Sequence, residues 1–208
     1  MNGILFKPWK IKAIAEDDGE WQTRRVIKPQ PCDDKTFIYA DGYCSLQAKN
    51  GYAPYAKSRY QVGEVVYIKE AWRPNWASER SYGVPGIQYK LDNAILARAG
   101  AGKYTAEQFH DAKWHSPMMM PEWAARYFIK ITDIRAERLQ EITEADAIAE
   151  GIEEWHGMFK EYDKPDSNPG WTRDPILSYR TLWNSINPKY PWESNPFVFV
   201  YSFKKAEK

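Results

Sequence analysis

SPMMMPEWAARYFIKITDIRAERLQEITEADAIAEGI, residues 116–152, holds a strand, a capped helix and a candidate acid in one unbroken run, and its reading sets the fold class. Within residues 126–133 the side chains alternate. Ile129 and Ile131 are expected to face a core, while Phe128, Lys130 and Thr132 face the other way, which is the period of a half-buried strand. The alternation slips one step at Asp133 and predicts a bulge or bend before Ile134. Thr143, with Asp146 three residues on, reads as a helix N-cap and its reciprocal acid. Apolar Ala145, Ile148, Ala149 and Ile152 follow at helical spacing, and Gly151 supplies a stop.

Towards the N-terminus, residues 3–6 read as a short apolar strand, and Pro8 is placed for the first turn of a helix over residues 9–15 with Ile11 and Ile14 inward. Asp17, Asp18 and Gly19 end that helix, and WQTRRVI, residues 21–27, returns extended until Pro29 and Pro31 stop it. Asp41-Gly42, between residues 37–40 and 43–47, is the strongest hairpin signal in the chain. GEVVYIKEAW, residues 63–72, reads as a buried strand with Val66 and Ile68 on one face and Val65, Tyr67 and Lys69 on the other. Glu70, Trp72 and Arg73 sit at its far end. Residues 75–113 carry a weaker pattern: Gly-rich punctuation at 99–102, a strand at 87–91 and a short helix at 105–112. The run Met118, Met119, Met120 reads as core gap filler.

Beyond residue 152, the stretch 153–172 is polar with little periodicity and reads as a surface loop. Asp174 and Pro175 then open a helix on which Ile176, Tyr179, Trp183 and Ile186 recur, ended by Asn187-Pro188. FVFVYSF, residues 197–203, is apolar on both faces until Ser202 and is expected to be a central, closing strand. Strands separated by short helices without regular βαβ alternation predict an α+β domain built on a small mixed β-barrel. The length of 208 residues fits a single domain spanning 1–208, with insertions at residues 30–61 and 75–112.

Composition narrows the chemistry. A net charge of +1 excludes a global basic field of the kind that holds a protein to DNA by phosphate contacts alone, so any nucleic-acid contact must be local. Ten Trp and fourteen Tyr exceed what a core of this size requires, and surplus aromatics serve as stacking platforms or interface anchors as well as core filler. Cys32 and Cys44 form neither a CxxC pair nor a disulfide framework, and the three His residues have no metal-ligand spacing, so neither a metal nor a cofactor is expected. No apolar run approaches the roughly 18 to 20 residues of a membrane span, and the N-terminus lacks a signal-peptide core. A reducing cytoplasm is the expected location, and the oligomeric state is left open.

Phosphate loops, dinucleotide fingerprints, HExxH and nucleophile elbows are missing from the sequence. A polar set remains as candidate ligand contacts: Gln22, Thr23, Arg24 and Arg25; Glu70 with Trp72 and Arg73; Lys113 and Ser116; Arg126; Glu150; and Trp192 with Asn195. Aromatics in this set would stack on a base while Arg24, Arg25 and Lys113 meet phosphate or base edges.

The blocks ILFKPW, QTRR, GEVVYIKEAW, KWHSPMMMPEWAARYFIKITDIRAERLQEITEADAIAEGI and LWNSI followed by WESNPFVFVYSF together resemble the ASCH-domain proteins encoded by phages and prophages, in the PUA-like superfamily. The match spans nearly the whole chain, with residues 29–61 and 75–112 the poorly matched regions. The resemblance implies a PUA-like β-barrel with a cleft between barrel and helices, and the binding of RNA or of a nucleotide with a modified base. Small bacterial ASCH members hydrolyse N4-acylated cytidine with a Lys-x-x-Thr pair and a downstream Glu in a short helix. Carried over, the Thr falls on Thr23 and the Glu on Glu150, but the Lys position holds Glu20, and no Lys lies between Lys12 and Lys28. The expected function is therefore RNA or modified-nucleobase binding. A nucleoside amidohydrolase using Thr23, Glu150 and Glu20 is the alternative, and a module meeting a host protein through exposed Trp and Tyr is a third.

Overall fold

The computed structural model describes residues 1–30, 37–40, 43–46, 56–76, 84–110 and 112–207. In chain order the elements are β1 (Gly3–Leu5), α1 (Pro8–Glu16), β2 (Glu20–Val26), β3 (Phe37–Ala40), β4 (Tyr43–Leu46), β5 (Ala56–Lys57), β6 (Val65–Lys69), β7 (Trp72–Trp76), β8 (Pro85–Tyr89), β9 (Ile95–Ala97), α2 (Ala106–His110), β10 (Phe128–Arg138), α3 (Glu144–Ala149), β11 (Glu154–Trp155), β12 (Met158–Glu161), β13 (Gly170–Thr172), α4 (Pro175–Ile186) and β14 (Phe197–Ala206). This is a mixed α+β protein, mostly sheet with few helices. The strand order shows no closed barrel among the described residues. No helix among them is long and apolar enough to cross a membrane. The chain divides into two compact units: Met1–Asp17, Val65–Ile129 and Lys205–Lys208 form the first, Asp18–Glu64 and Lys130–Lys204 the second.

In the first unit β1 runs parallel to β6, Gly3 opposite Tyr67 and Leu5 opposite Lys69. Pro8 opens α1, and Ile11 and Ile14 are buried as their spacing predicts. β6 buries Val66 and Ile68 on one face and Tyr67 on the other. The strand anticipated over residues 63–72 is shorter than expected: it stops at Lys69, and β7 begins separately at Trp72. The break follows from a change of partner, since the Trp72 N–H donates to the His115 carbonyl at 3.3 Å and the His115 N–H donates back at 2.7 Å. β7 pairs antiparallel with β8, and β8 with β9. Trp72, Ile87, Tyr89, Phe109, Met120 and Phe128 pack into one core. The Met run does not act as a block: Met120 is 2% exposed in that core, but Met118 and Met119 are each 71% exposed. Pro117–Met119 is a single 3-10 turn capped by the Ser116 hydroxyl, and it delivers one of the three inward.

In the second unit β14 lies between β10 and β2, antiparallel to β2 from Val198 opposite Val26 to Lys204 opposite Glu20. Every residue from Phe197 to Phe203 is buried, so the strand is central, as its two apolar faces require. β10 buries Ile129 and Ile131, exposes Asp133 and buries Ile134, so the alternation does slip at Asp133. Phe128, expected to face away from the core, is buried too, in the first unit's core.

α3 carries the Thr143–Asp146 capping box, and Gly151, at φ +78°, ends it in the left-handed region that favours glycine. Its orientation departs in part from the expected one, since Ile152 is buried and Ala149 half-buried as anticipated but the rest of the anticipated face turns outward. Ala145 is exposed and Ile148 is 47% exposed, while Ala147 and Glu150 are buried. The polar stretch 153–172 is not a loop but the antiparallel sheet β11-β12-β13. His156 at φ +51° and Gly157 at φ +75° form the two-residue turn between Trp155 and Met158, the positive-φ pair of a primed hairpin turn. The sheet is tied to α4, where the Ser178 hydroxyl donates to the Lys160 carbonyl at 2.6 Å and the Tyr162 N–H donates to Thr181 Oγ1 at 2.9 Å. Asp174 caps α4 by accepting from the Ile176 and Leu177 N–H groups. Tyr179, Leu182 and Trp183 are its buried face, with Ile186 turned out. β3 and β4 form the anticipated hairpin, Ala40 opposite Tyr43, and the Asp41-Gly42 turn lies outside the described residues.

Candidate functional site

Two polar constellations emerge, one in each unit. In the second unit successive residues of β2 point to opposite faces, and Glu20, Gln22 and Arg24 share one of them. β10 answers with Thr132 just before the slip at Asp133 and with Arg135 and Glu137 after it. The Thr132 hydroxyl donates to Glu20 at 3.0 Å, Arg135 Nη2 approaches Gln22 Oε1 at 3.4 Å, and Arg24 donates to Glu137 Oε1 from Nη2 at 2.8 Å and from Nε at 3.2 Å. α3 closes over this row with Asp146 and Glu150, one turn apart on one helix face. Arg24 Nη2 lies 3.2 Å from Asp146 Oδ2 and Nη1 lies 3.3 Å from Glu150 Oε1.

This arrangement explains the orientation of α3. Two carboxylates on one helical face meet a buried guanidinium, and satisfying that charge outweighs burying Ile148. The Arg24 side chain is 0% exposed, so it is consumed by the network and does not meet phosphate as its place in QTRR suggested. Burial alone would lower the Arg24 pKa, but Glu150, Tyr179 and Glu137 outweigh it and hold it above its ordinary value. Burial tends to raise Asp146, yet Arg24 and Arg135 win and hold its carboxyl below the usual range. Tyr179 is pushed well up, first by burial and then by Glu150.

Thr23 lies on the other face of β2. It sits opposite Tyr201, whose hydroxyl shares a 3.1 Å hydrogen bond with Ser58. The proposed catalytic trio is therefore split: Glu20 and Glu150 belong to the Arg24 face and Thr23 to the reverse one. Arg25, also on the reverse face, is exposed. Trp192 is 9% exposed and stacks edge-on with Tyr179 at 6.4 Å. Asn195, at φ +41°, accepts the Gln140 N–H through Oδ1 at 2.9 Å. Both brace the turn into β14 instead of reaching a ligand.

In the first unit Arg126 is equally committed. Its Nη2 and Nε grip Glu70 at 2.7 and 2.9 Å, its Nη1 grips Asp92 at 2.8 Å, and its guanidinium lies 4.2 and 4.7 Å from the Tyr89 and Tyr127 ring centres. Burial opposes the charge, but the hydrogen bonds that Arg126 donates to Glu70 and Asp92 raise its pKa. Glu70 and Arg126 form a structural ion pair, and Trp72, 3% exposed, belongs to the core.

The other face of β7 and β8 is different. Arg73 stands opposite Gln88 and Asn75 opposite Gly86. Gln88 Oε1 accepts from Arg73 Nε at 2.7 Å and from Asn75 Nδ2 at 3.0 Å. The Lys113–Ser116 segment runs along the opposite edge of β7 through the Trp72–His115 bridge, with the His115 ring stacked 4.6 Å from Trp72. Trp114, 36% exposed, lies 4.7 Å from the Arg73 guanidinium. Arg73 has no carboxylate partner among the described residues. Lys113, Trp114, His115 and Ser116 are exposed. The structure thus brings Arg73 together with Asn75, Gln88 and Trp114, which sequence reasoning passed over, and runs the backbone of Lys113 to Ser116 along that edge of β7. Alternation in IQY would have flagged Gln88, and the indole between Lys113 and His115 would have flagged Trp114.

Among the described residues no group of three or more His, Cys, Asp or Glu is placed to hold a metal ion. No protein-family model, curated protein or solved structure matches the chain.

Proposed function

We propose that this protein binds single-stranded RNA, or a nucleotide with a modified base, on the β7-β8 face. The supporting observation is the Arg73–Trp114 pair: a half-buried guanidinium without a carboxylate, stacked on an exposed indole beside Lys113. Arginine, lysine and an accessible aromatic plane are what a stacked base and its phosphates require, and a net charge of +1 fits a contact of this local kind. The resemblance to phage and prophage ASCH proteins supplies the context, and with it a PUA-like barrel and a cytoplasmic role. That context rests on the run of residues 116–152 and on the mixed α+β content. The alternative, an amidohydrolase, needs Thr23 and Glu150 at one scissile bond, whereas β2 turns Thr23 away from Arg24, the residue that holds Glu150.

The test is fluorescence anisotropy with a labelled mixed-sequence single-stranded RNA. Trp114→Ala should weaken binding roughly 5- to 150-fold, the equivalent of about 1–3 kcal/mol of lost stacking. Arg73 and Lys113 would neutralise about two phosphates, so log K against log salt should be shallow, with a slope of about −1.4. Affinity unchanged in an Arg73→Ala, Trp114→Ala protein that still melts like the parent would remove this face from the site.

A further inference from the structure

We infer that the base read on this face is guanine, recognised through its O6 and N7 edge; the inference rests on the binding reading above and deepens it. The argument starts from Gln88. An arginine side chain has donors and no acceptor, so the Gln88 atom lying 2.7 Å from Arg73 Nε must be the amide oxygen. The same oxygen accepts from Asn75 Nδ2, which fixes the carboxamide from two sides. Its NH2 group is thereby turned away from both and is left as a donor. Asn75 Oδ1 is occupied by the Trp76 N–H at 2.8 Å. What remains to meet a ligand is the pair of Arg73 Nη nitrogens and the Gln88 Nε2, all donors. Gln88 Oε1 is saturated by two donors and Asn75 Oδ1 keeps one lone pair, so donors outnumber acceptors on this face.

A surface of fixed donors selects a base edge made of acceptors. Guanine offers two adjacent acceptors, O6 and N7, matching the planar fork of an arginine. Adenine places an amino donor where guanine has O6, uracil sets an N3–H donor between O4 and O2, and cytosine sets an N4 amino donor beside N3 and O2. The Trp114 indole beside the guanidinium gives the unstacked base a plane to lie against, which is how single-stranded RNA presents that edge to a protein.

The experiment uses the full chain and fluorescein-labelled oligouridylate octamers carrying one central guanosine, adenosine or 7-deazaguanosine. The guanosine octamer should bind about tenfold more tightly than the adenosine one, and 7-deazaguanosine, which lacks the N7 acceptor, should lose most of that margin. Gln88→Glu keeps the inward oxygen for Arg73 and Asn75 but replaces the outward donor with an acceptor. It should narrow the preference for guanosine over adenosine while leaving the melting temperature near that of the parent. Equal affinity for the guanosine and adenosine octamers, still abolished by Arg73→Ala, would overturn the base assignment and leave the binding site standing. Binding of none of the octamers would overturn both.

Discussion

Replacing Arg24 by Ala tests whether the cluster beneath α3 is structural or exposed to ligand. In the intact protein the guanidinium makes contacts of 2.8 Å to Glu137, 3.2 Å to Asp146 and 3.3 Å to Glu150, with a side chain 0% exposed. Its removal leaves three carboxylates facing a cavity, with Arg135 still bridging Glu137 at 2.8 Å and Asp146 at 3.1 Å but Glu150 deprived of its guanidinium. Breaking a buried ion pair from one side costs about 3–5 kcal/mol, a large share of the roughly 5–15 kcal/mol that holds a domain folded. For a chain of this size each kcal/mol is worth about 2–4 °C, so Arg24→Ala should melt about 6–20 °C lower. Circular dichroism melts at pH 7 measure this directly. Arg25→Ala, at an exposed position of the same strand, should stay within about 2 °C of the parent. Adding Glu150→Gln to Arg24→Ala should recover part of the loss by removing an uncompensated charge. An Arg24→Ala protein that melts with the parent yet loses RNA affinity would refute the structural reading and return Arg24 to the binding surface.

Deleting residues 197–208 removes a strand buried on both faces, at about 1.5–3 kcal/mol for each lost large side chain, and should leave no cooperative melt. Asp146 is held below the ordinary carboxylate value of about 3.9, so its contribution is present above that pH and lost as acid titrates it in the fold. Asp146→Asn should accordingly melt lower at neutral pH and show a flatter fall in melting temperature below about pH 4. With Thr23 and Glu20 on opposite faces of β2, neither the parent nor Glu20→Lys should hydrolyse N4-acetylcytidine, and chromatographic detection of turnover in either would contradict the placement of Thr23. Gly157→Val puts a branched side chain at φ +75° in the β11–β12 turn and should cost at least about 1 kcal/mol, read as a lower melting temperature.

The elements that sequence reasoning located are those whose signals are local. Asp174-Pro175 announces α4, Thr143 and Asp146 announce α3, and the two-sided apolarity of FVFVYSF marks β14 as central, all within a few residues of chain. The misread features depend on partners far away. α3 shows Ile148 to solvent because Arg24, at a separation of 126 residues from Glu150, claims its acidic face. No spacing rule inside the helix contains that information. The β11-β12-β13 sheet escaped notice because its hairpin turns through His156-Gly157, a weaker written signal than Asp41-Gly42. The binding face was half legible: Arg73, Lys113 and Ser116 stood out as polar residues, but Gln88 acquires meaning only when Arg73 fixes which end of its amide points outward.

The slip at Asp133 makes β10 a strand written in two phases. Ahead of it, odd-numbered Ile129 and Ile131 are the core residues; after it, the core takes even-numbered Ile134, and odd-numbered Arg135 and Glu137 serve the polar row. Asp133 is thus a reading-frame mark for side-chain polarity. Removing that one residue would not create a local gap. It would leave Ile134 in step with Ile129 and Ile131, and Arg135 and Glu137 in step with Thr132, because the slip is what absorbs the extra residue. A one-residue deletion at Asp133 should therefore be tolerated better than one at Ala136, which would turn Glu137 toward the apolar side.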